Sequence, residues 1–128
     1  MREIRSEAAP APVGPYSQAV AHGGLVFASG QIPLDPATGA LVAGEIETQT
    51  ERAIENLRAV LESAGSSLAL VLRTTVYVVD LAHFPRVNAV YARHFRGKPM
   101  PARATVQVAA LPLGAAIEID AIAATGQR

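Results

Sequence analysis

The chain has 128 residues, half of them hydrophobic and 17% charged, with eleven basic side chains balancing eleven acidic ones and no cysteine. These values describe one folded domain over 1–128, exclude disulfides, thiolate metal sites and cysteine nucleophiles, and leave no net field to attract nucleic acid or an anionic membrane. No apolar run reaches membrane-spanning length and the first residues are too charged for a signal peptide, so a soluble cytoplasmic protein is expected.

Residues 8–15 contain Pro10, Pro12 and Pro15, which remove backbone donors and fix φ, so the segment is extended. Runs 16–22 and 25–31 flank Gly23-Gly24, the signature of a tight hairpin, because glycine reaches the positive φ of primed turns. A loop rich in turn residues follows. From 46 to 64, Ile46, Ala53, Ile54, Leu57, Val60, Leu61 and Ala64 form a helical stripe that Gly65 is placed to end. The β-branched run 71–79 reads as a central strand. Phe84, Val87, Tyr91 and Phe95 mark a second helix over 84–95, with Pro85 in its first turn, and residues 98–101 must be extended. Two strands close the chain, 102–108 and 117–123. This order predicts an α+β sheet with both helices on one face. The other face, rich in Val, Ile and Ala, then requires a second chain, and a homo-oligomer is expected.

The stretch 101–119 sets one arginine, Arg103, and one carboxylate, Glu118, into small apolar surroundings, where a charge is costly unless paired or used. Period-two alternation puts Arg103, Thr105 and Gln107 on one face of their strand, and Glu118 and Asp120 together on theirs. If the two strands pair, Arg103 and Glu118 share a polar face. Two readings fit. One is a solvated cross-strand ion pair worth roughly 0.2–1 kcal/mol. The other is a guanidinium fork for a planar carboxylate beside a general base. Tyr16, Ser29, Gly30 and Asn88 have bland readings as well: a surface aromatic, a strand end that admits another backbone, a helix-to-loop hydrogen bond. His22, His83 and His94 lack the paired spacing of a helical zinc site, so no metal is expected.

The segments Gly14-Pro15-Tyr16-Ser17-Gln18-Ala19, Ala28-Ser29-Gly30-Gln31-Ile32, Glu55-Asn56-Leu57, Asn88 to Tyr91, Pro101-Ala102-Arg103 and Ile117-Glu118-Ile119 occur in that order over nearly the whole chain. In this the chain resembles the RidA (YjgF) family of enamine and imine deaminases. The resemblance implies a chorismate-mutase-like β-β-α-β-α-β-β fold, assembled as a homotrimer with active sites in the clefts between subunits. It implies that Arg103 binds a substrate carboxylate and that Glu118 positions and activates water. Tyr16, Ser29 and Asn88 would line the pocket, with Gly30 and Ile32 in its wall. Thr105 stands where many members carry cysteine; the role attributed to that position is a backbone carbonyl contact to the imine nitrogen, which threonine supplies equally.

The implied reaction needs no cofactor: 2-imino acids such as 2-iminopropanoate, the tautomer of 2-aminoacrylate, and 2-iminobutanoate are hydrolysed to 2-oxo acids and ammonia. The implied partners are these small carboxylic acids, with neither nucleic acid nor membrane. Two alternatives belong to other classes: a non-catalytic trimer that binds carboxylate metabolites, and an endoribonuclease-like relative. Against the latter stand the neutral charge and the lack of interleaved aromatic and basic residues.

Overall fold

The structure, a computed structural model, describes residues 1–126. Gly23 and Gly24 take φ of 61° and 80°, and the hairpin they turn joins β2 (Ala19–His22) to β3 (Leu25–Gln31) with His22 opposite Leu25. The first strand of this hairpin is shorter than its apolar run, and Tyr16 lies ahead of it, in a turn. An additional strand, β1 (Arg2–Ile4), pairs along β2. At three residues it is too short for any periodicity to announce it.

Helix α1 (Ile46–Ser63) follows the predicted stripe, and Gly65, at φ 76°, lies just beyond its C-terminal end. Strand β4 (Val71–Val78), helix α2 (Phe84–His94), β5 (Ala102–Gln107) and β6 (Ile117–Ala124) complete the chain. The strands form one sheet in the order β1-β2-β3-β6-β4-β5. Both helices pack on one side of it, over a core that includes Val26, Ile54, Leu57, Leu61, Val76, Val90, Ile117 and Ile119. Among the described residues, no helix is long and apolar enough to cross a membrane.

One expectation fails here, and the failure decides the geometry of the site. Strands β5 and β6 do not pair. Strand β4 lies between them, parallel to β5 and antiparallel to β6. A parallel pair needs a crossover, and α2 provides it between β4 and β5. The second face of the sheet carries Phe27, Tyr77, Val106 and Ile122, and both Phe27 and Val106 are 41% exposed.

Two buried polar side chains fasten the loops to this frame. Gln18 accepts the Ser6 N–H at 2.7 Å and donates to the carbonyls of Pro10 and Ser6 at 2.8 and 3.1 Å. Asn56, fully buried on α1, donates to the carbonyls of Leu34 and Ile32 at 2.9 and 3.2 Å and accepts from Arg52 Nε at 3.1 Å. Removing this donor strands the Leu34 carbonyl and leaves the Ile32 carbonyl only the Leu34 N–H, at 2.7 Å. Asn56→Ala is therefore expected to lower unfolding free energy by about 2–4 kcal/mol, read as a shift of the urea midpoint; an unchanged midpoint would show that Asn56 does not anchor the loop.

Candidate active site

Strand β6 alternates strictly, so Glu118 projects away from the helices between Ile117 and Ile119, both fully buried. The Glu118 carboxylate rests against Gly30 near the end of β3, where a β-carbon would lie 2.7 Å from the carboxyl carbon. Burial raises the Glu118 pKa above the ordinary 4.5, and the Asp120 charge two residues along the same face adds to it. Asp120 itself is engaged, accepting from the Tyr77 hydroxyl at 3.0 Å and the Thr75 N–H at 3.2 Å.

A titration consequence follows for stability. The folded chain holds a proton on Glu118 at pH values where the unfolded chain has lost it. Ionised Glu118 therefore weakens the fold above its raised folded pKa, and the penalty disappears as pH falls below the unfolded value near 4.5. Glu118→Gln is expected to raise Tm at about pH 7, with the gain closing toward about pH 4. Equal Tm values at neutral pH would show that the carboxylate is fully solvated.

Around Glu118 a cavity of about 310 Å³ is lined by Tyr16, Ser29, Gly30 and Ile32 among others. The Ser29 hydroxyl donates to the Ser17 carbonyl at 2.7 Å, so its lone pairs remain available. The Tyr16 hydroxyl accepts the Val13 N–H at 3.2 Å and keeps its own proton to donate. Five of the eight residues singled out in the sequence thus meet at one place: Glu118, Gly30, Ser29, Tyr16 and Ile32.

The other three lie elsewhere. Arg103 stands in register with Thr74, which is fully buried and hydrogen-bonds Tyr91 of α2 at 2.7 Å, so Arg103 is on the helix side of the sheet. Its guanidinium packs over the Tyr91 ring at 4.7 Å and the Phe84 ring at 5.5 Å. Among the described residues no carboxylate pairs with it. Thr105 follows two positions along the same face of β5, and Asn88 shares the α2 face of Phe84 and Tyr91. Thr105 Oγ1 and Asn88 Oδ1 are both buried without a hydrogen-bond partner among the described residues. Leaving such atoms unpaired costs about 1–3 kcal/mol each.

Glu118, by contrast, is in register with Tyr77, three residues along β4 from Thr74 and hence on the opposite face. The expected common polar face of Arg103 and Glu118 is therefore corrected. Within one chain they lie on opposite sides of the sheet, with β4 between their strands.

Several other charged groups pair locally. Arg86 binds Glu47 and Glu45 at 2.7 Å each, tying α2 to the start of α1. Glu51, Glu55 and His94 bring potential ligand atoms within 4.8 Å of one another. There the Arg58 guanidinium meets His94 Nδ1 at 3.1 Å, while His94 Nε2 meets Glu51 at 2.8 Å. Since arginine only donates, the imidazole proton sits on Nε2 and points at Glu51, a tautomer unsuited to metal ligation through Nε2. Sequence reasoning missed Gln18, Thr74 and the aromatic cage of Arg103. The signal for Gln18 was a polar side chain inside an otherwise apolar run.

Comparison with known proteins follows the same outline. A family model described as endoribonuclease L-PSP matches residues 6–125. Reactive intermediate deaminase A of Arabidopsis thaliana chloroplasts is 48% identical over 120 residues, which are 94% of this chain and 64% of that protein. The crystal structure of RidA from an Antarctic Psychrobacter species is 44% identical with a TM-score of 0.93, covering 97% of this chain and 99% of that one. The crystal structure of Escherichia coli TdcF with bound serine is 38% identical with a TM-score of 0.91, covering 98% and 100%.

Proposed function

Because this chain belongs to the RidA (YjgF) family, that of the matching endoribonuclease L-PSP model, we propose that it is an imine deaminase hydrolysing 2-imino acids to 2-oxo acids and ammonia. The observation that carries this reading is the division of the candidate residues. A caged guanidinium with no carboxylate partner among the described residues lies on one face of the sheet and a partly buried carboxylate on the other. Two copies facing each other would bring Arg103 of one to Glu118 of the next, and a closed ring of three would repeat the arrangement at each boundary. The exposed apolar residues Phe27 and Val106 favour such an assembly.

In that cleft the Arg103 guanidinium donates to both oxygens of the substrate carboxylate and fixes C2 toward Glu118. A protonated imine is already electrophilic at C2. Glu118, a stronger base for having its pKa raised, takes a proton as water oxygen bonds to C2, giving a tetrahedral aminoalcohol. That proton passes to nitrogen, the freed Glu118 carboxylate takes the hydroxyl proton, and the C–N bond breaks, so that ammonia leaves as the oxygen becomes the carbonyl of the 2-oxo acid. The Tyr16 hydroxyl and the unpartnered Thr105 and Asn88 atoms supply hydrogen bonds to the polar groups of this adduct. The serine bound to TdcF, itself a small carboxylic acid, supports this class of substrate.

The test is a coupled assay with imines freshly made by amino-acid oxidase. The wild type accelerates ammonia and 2-oxo acid release, and Arg103→Ala loses the acceleration. Binding of 2-oxo acids with no acceleration by wild type would replace this reading with that of a metabolite-binding trimer. Nuclease activity that persisted through rigorous repurification would point instead to an RNA-cleaving relative.

A further inference from the structure

Tyr91 is 4% exposed, as a core residue of α2 would be, yet it touches two polar side chains. Its hydroxyl shares a 2.7 Å hydrogen bond with Thr74 Oγ1, and Thr74 is fully buried. Its ring lies 4.7 Å from the Arg103 guanidinium carbon. Phe95, buried at the end of α2, stacks against that ring with centroids 4.3 Å apart. Parallel pairing of β4 with β5 puts Thr74 in register with Arg103. Tyr91 therefore bridges the two strands, tied to β4 by its hydroxyl and laid against the β5 arginine by its ring. A residue that the helical stripe accounts for as core packing also fixes an arginine.

This manner of holding leaves the arginine usable. A carboxylate partner would occupy its N–H groups and cancel its charge; among the described residues it has none. An aromatic ring instead covers the flat face of the guanidinium, whose N–H donors lie in its plane and stay open at its edge. An arginine free to rotate must be immobilised when a ligand binds, which weakens binding roughly 3–10-fold relative to one already in place. Resting on the deaminase reading for the identity of the ligand, we propose that Tyr91 is a positioning residue that aims the Arg103 fork at the substrate carboxylate. Thr74 and Phe95 hold the ring, and the ring holds the guanidinium in place before a ligand arrives.

Order in the unliganded protein and affinity for 2-oxobutanoate test this together. The NMR order parameter of Arg103 Nε, assigned by loss of the signal in Arg103→Ala, is expected at about 0.85 without ligand and should change little on saturation with 2-oxobutanoate. Tyr91→Met fills much of the same space with no ring face. It should lower that order parameter below about 0.6 and raise the 2-oxobutanoate dissociation constant roughly 3–10-fold. Tyr91→Phe keeps the ring and loses only the hydroxyl, so its affinity should stay within about twofold of wild type. A merely structural role would move both variants alike, so equal weakening by the two overturns the proposal, as does an unchanged dissociation constant in Tyr91→Met. Should Tyr91→Met not fold, the wild-type order parameter decides alone. A guanidinium that is mobile when free and rigid only when bound overturns the proposal, and so does a wild type that binds no 2-oxobutanoate. If binding follows the expected pattern while no imine is accelerated, the positioning role stands and the deaminase reading fails.

Discussion

Mixing Arg103→Ala chains with Glu118→Gln chains is expected to restore about a quarter of wild-type activity from two inactive proteins. Each variant alone should lose about 10²–10⁴ in kcat/KM, the first through an unheld carboxylate and the second through a missing base. Because the two side chains lie on opposite faces of one sheet, each would serve a different boundary of a closed ring. In a random equimolar mixture, a site is intact when its arginine comes from the Glu118→Gln chain and its glutamate from the Arg103→Ala chain. That ordered choice has a probability of about one in four, whatever the number of subunits. The measurement is imine hydrolysis after the two proteins are unfolded and refolded together, against each refolded alone. Were both residues drawn from one chain, mixing would restore nothing.

Gly30→Ala is the second large effect, and it should separate activity from stability. An added β-carbon would lie 2.7 Å from Glu118 Cδ and 2.9 Å from its Cγ, closer than real β-carbons approach other atoms. Something must shift, and the far end of a glutamate side chain moves cheaply. The fold should therefore persist, with a small change in Tm, while the carboxylate leaves its place. Misplacement by about 1 Å can lower kcat about 10²-fold. The swing toward solvent also relieves the desolvation that raises the Glu118 pKa, so the acid limb of the pH–rate profile should move down. Unchanged kcat would mean that the carboxylate takes no part in the reaction.

These two experiments reflect what periodicity can and cannot convey. Gly23-Gly24 and the stripe of α1 identify their elements because turn and helix are local. Alternation likewise establishes that Glu118 and Asp120 share a face. It does not say which strand lies beside which. Nothing local in residues 108–116 reveals that the chain leaves β5 and returns on the far side of β4. Arg103 and Glu118 were recognisable as unusual charges, whereas their placement on opposite faces depended on that long-range order. Gln18 and Asn56 were visible only as polar residues within motifs; the carbonyls they bind lie 8 to 24 residues away.

The unpartnered atoms of Thr105 and Asn88 carry a thermodynamic implication for regulation. Among the described residues, Thr105 on β5 and Asn88 on α2 each carry a buried polar atom with no partner, and in the proposed assembly substrate or product would engage them across a boundary between copies. Occupancy and association then become linked equilibria. Any ligand that binds the boundary more tightly than the separated halves must favour association by the same factor. The 2-oxo acid formed at each boundary would thereby raise the fraction of chains assembled, and a falling concentration of imine and 2-oxo acid would lower it.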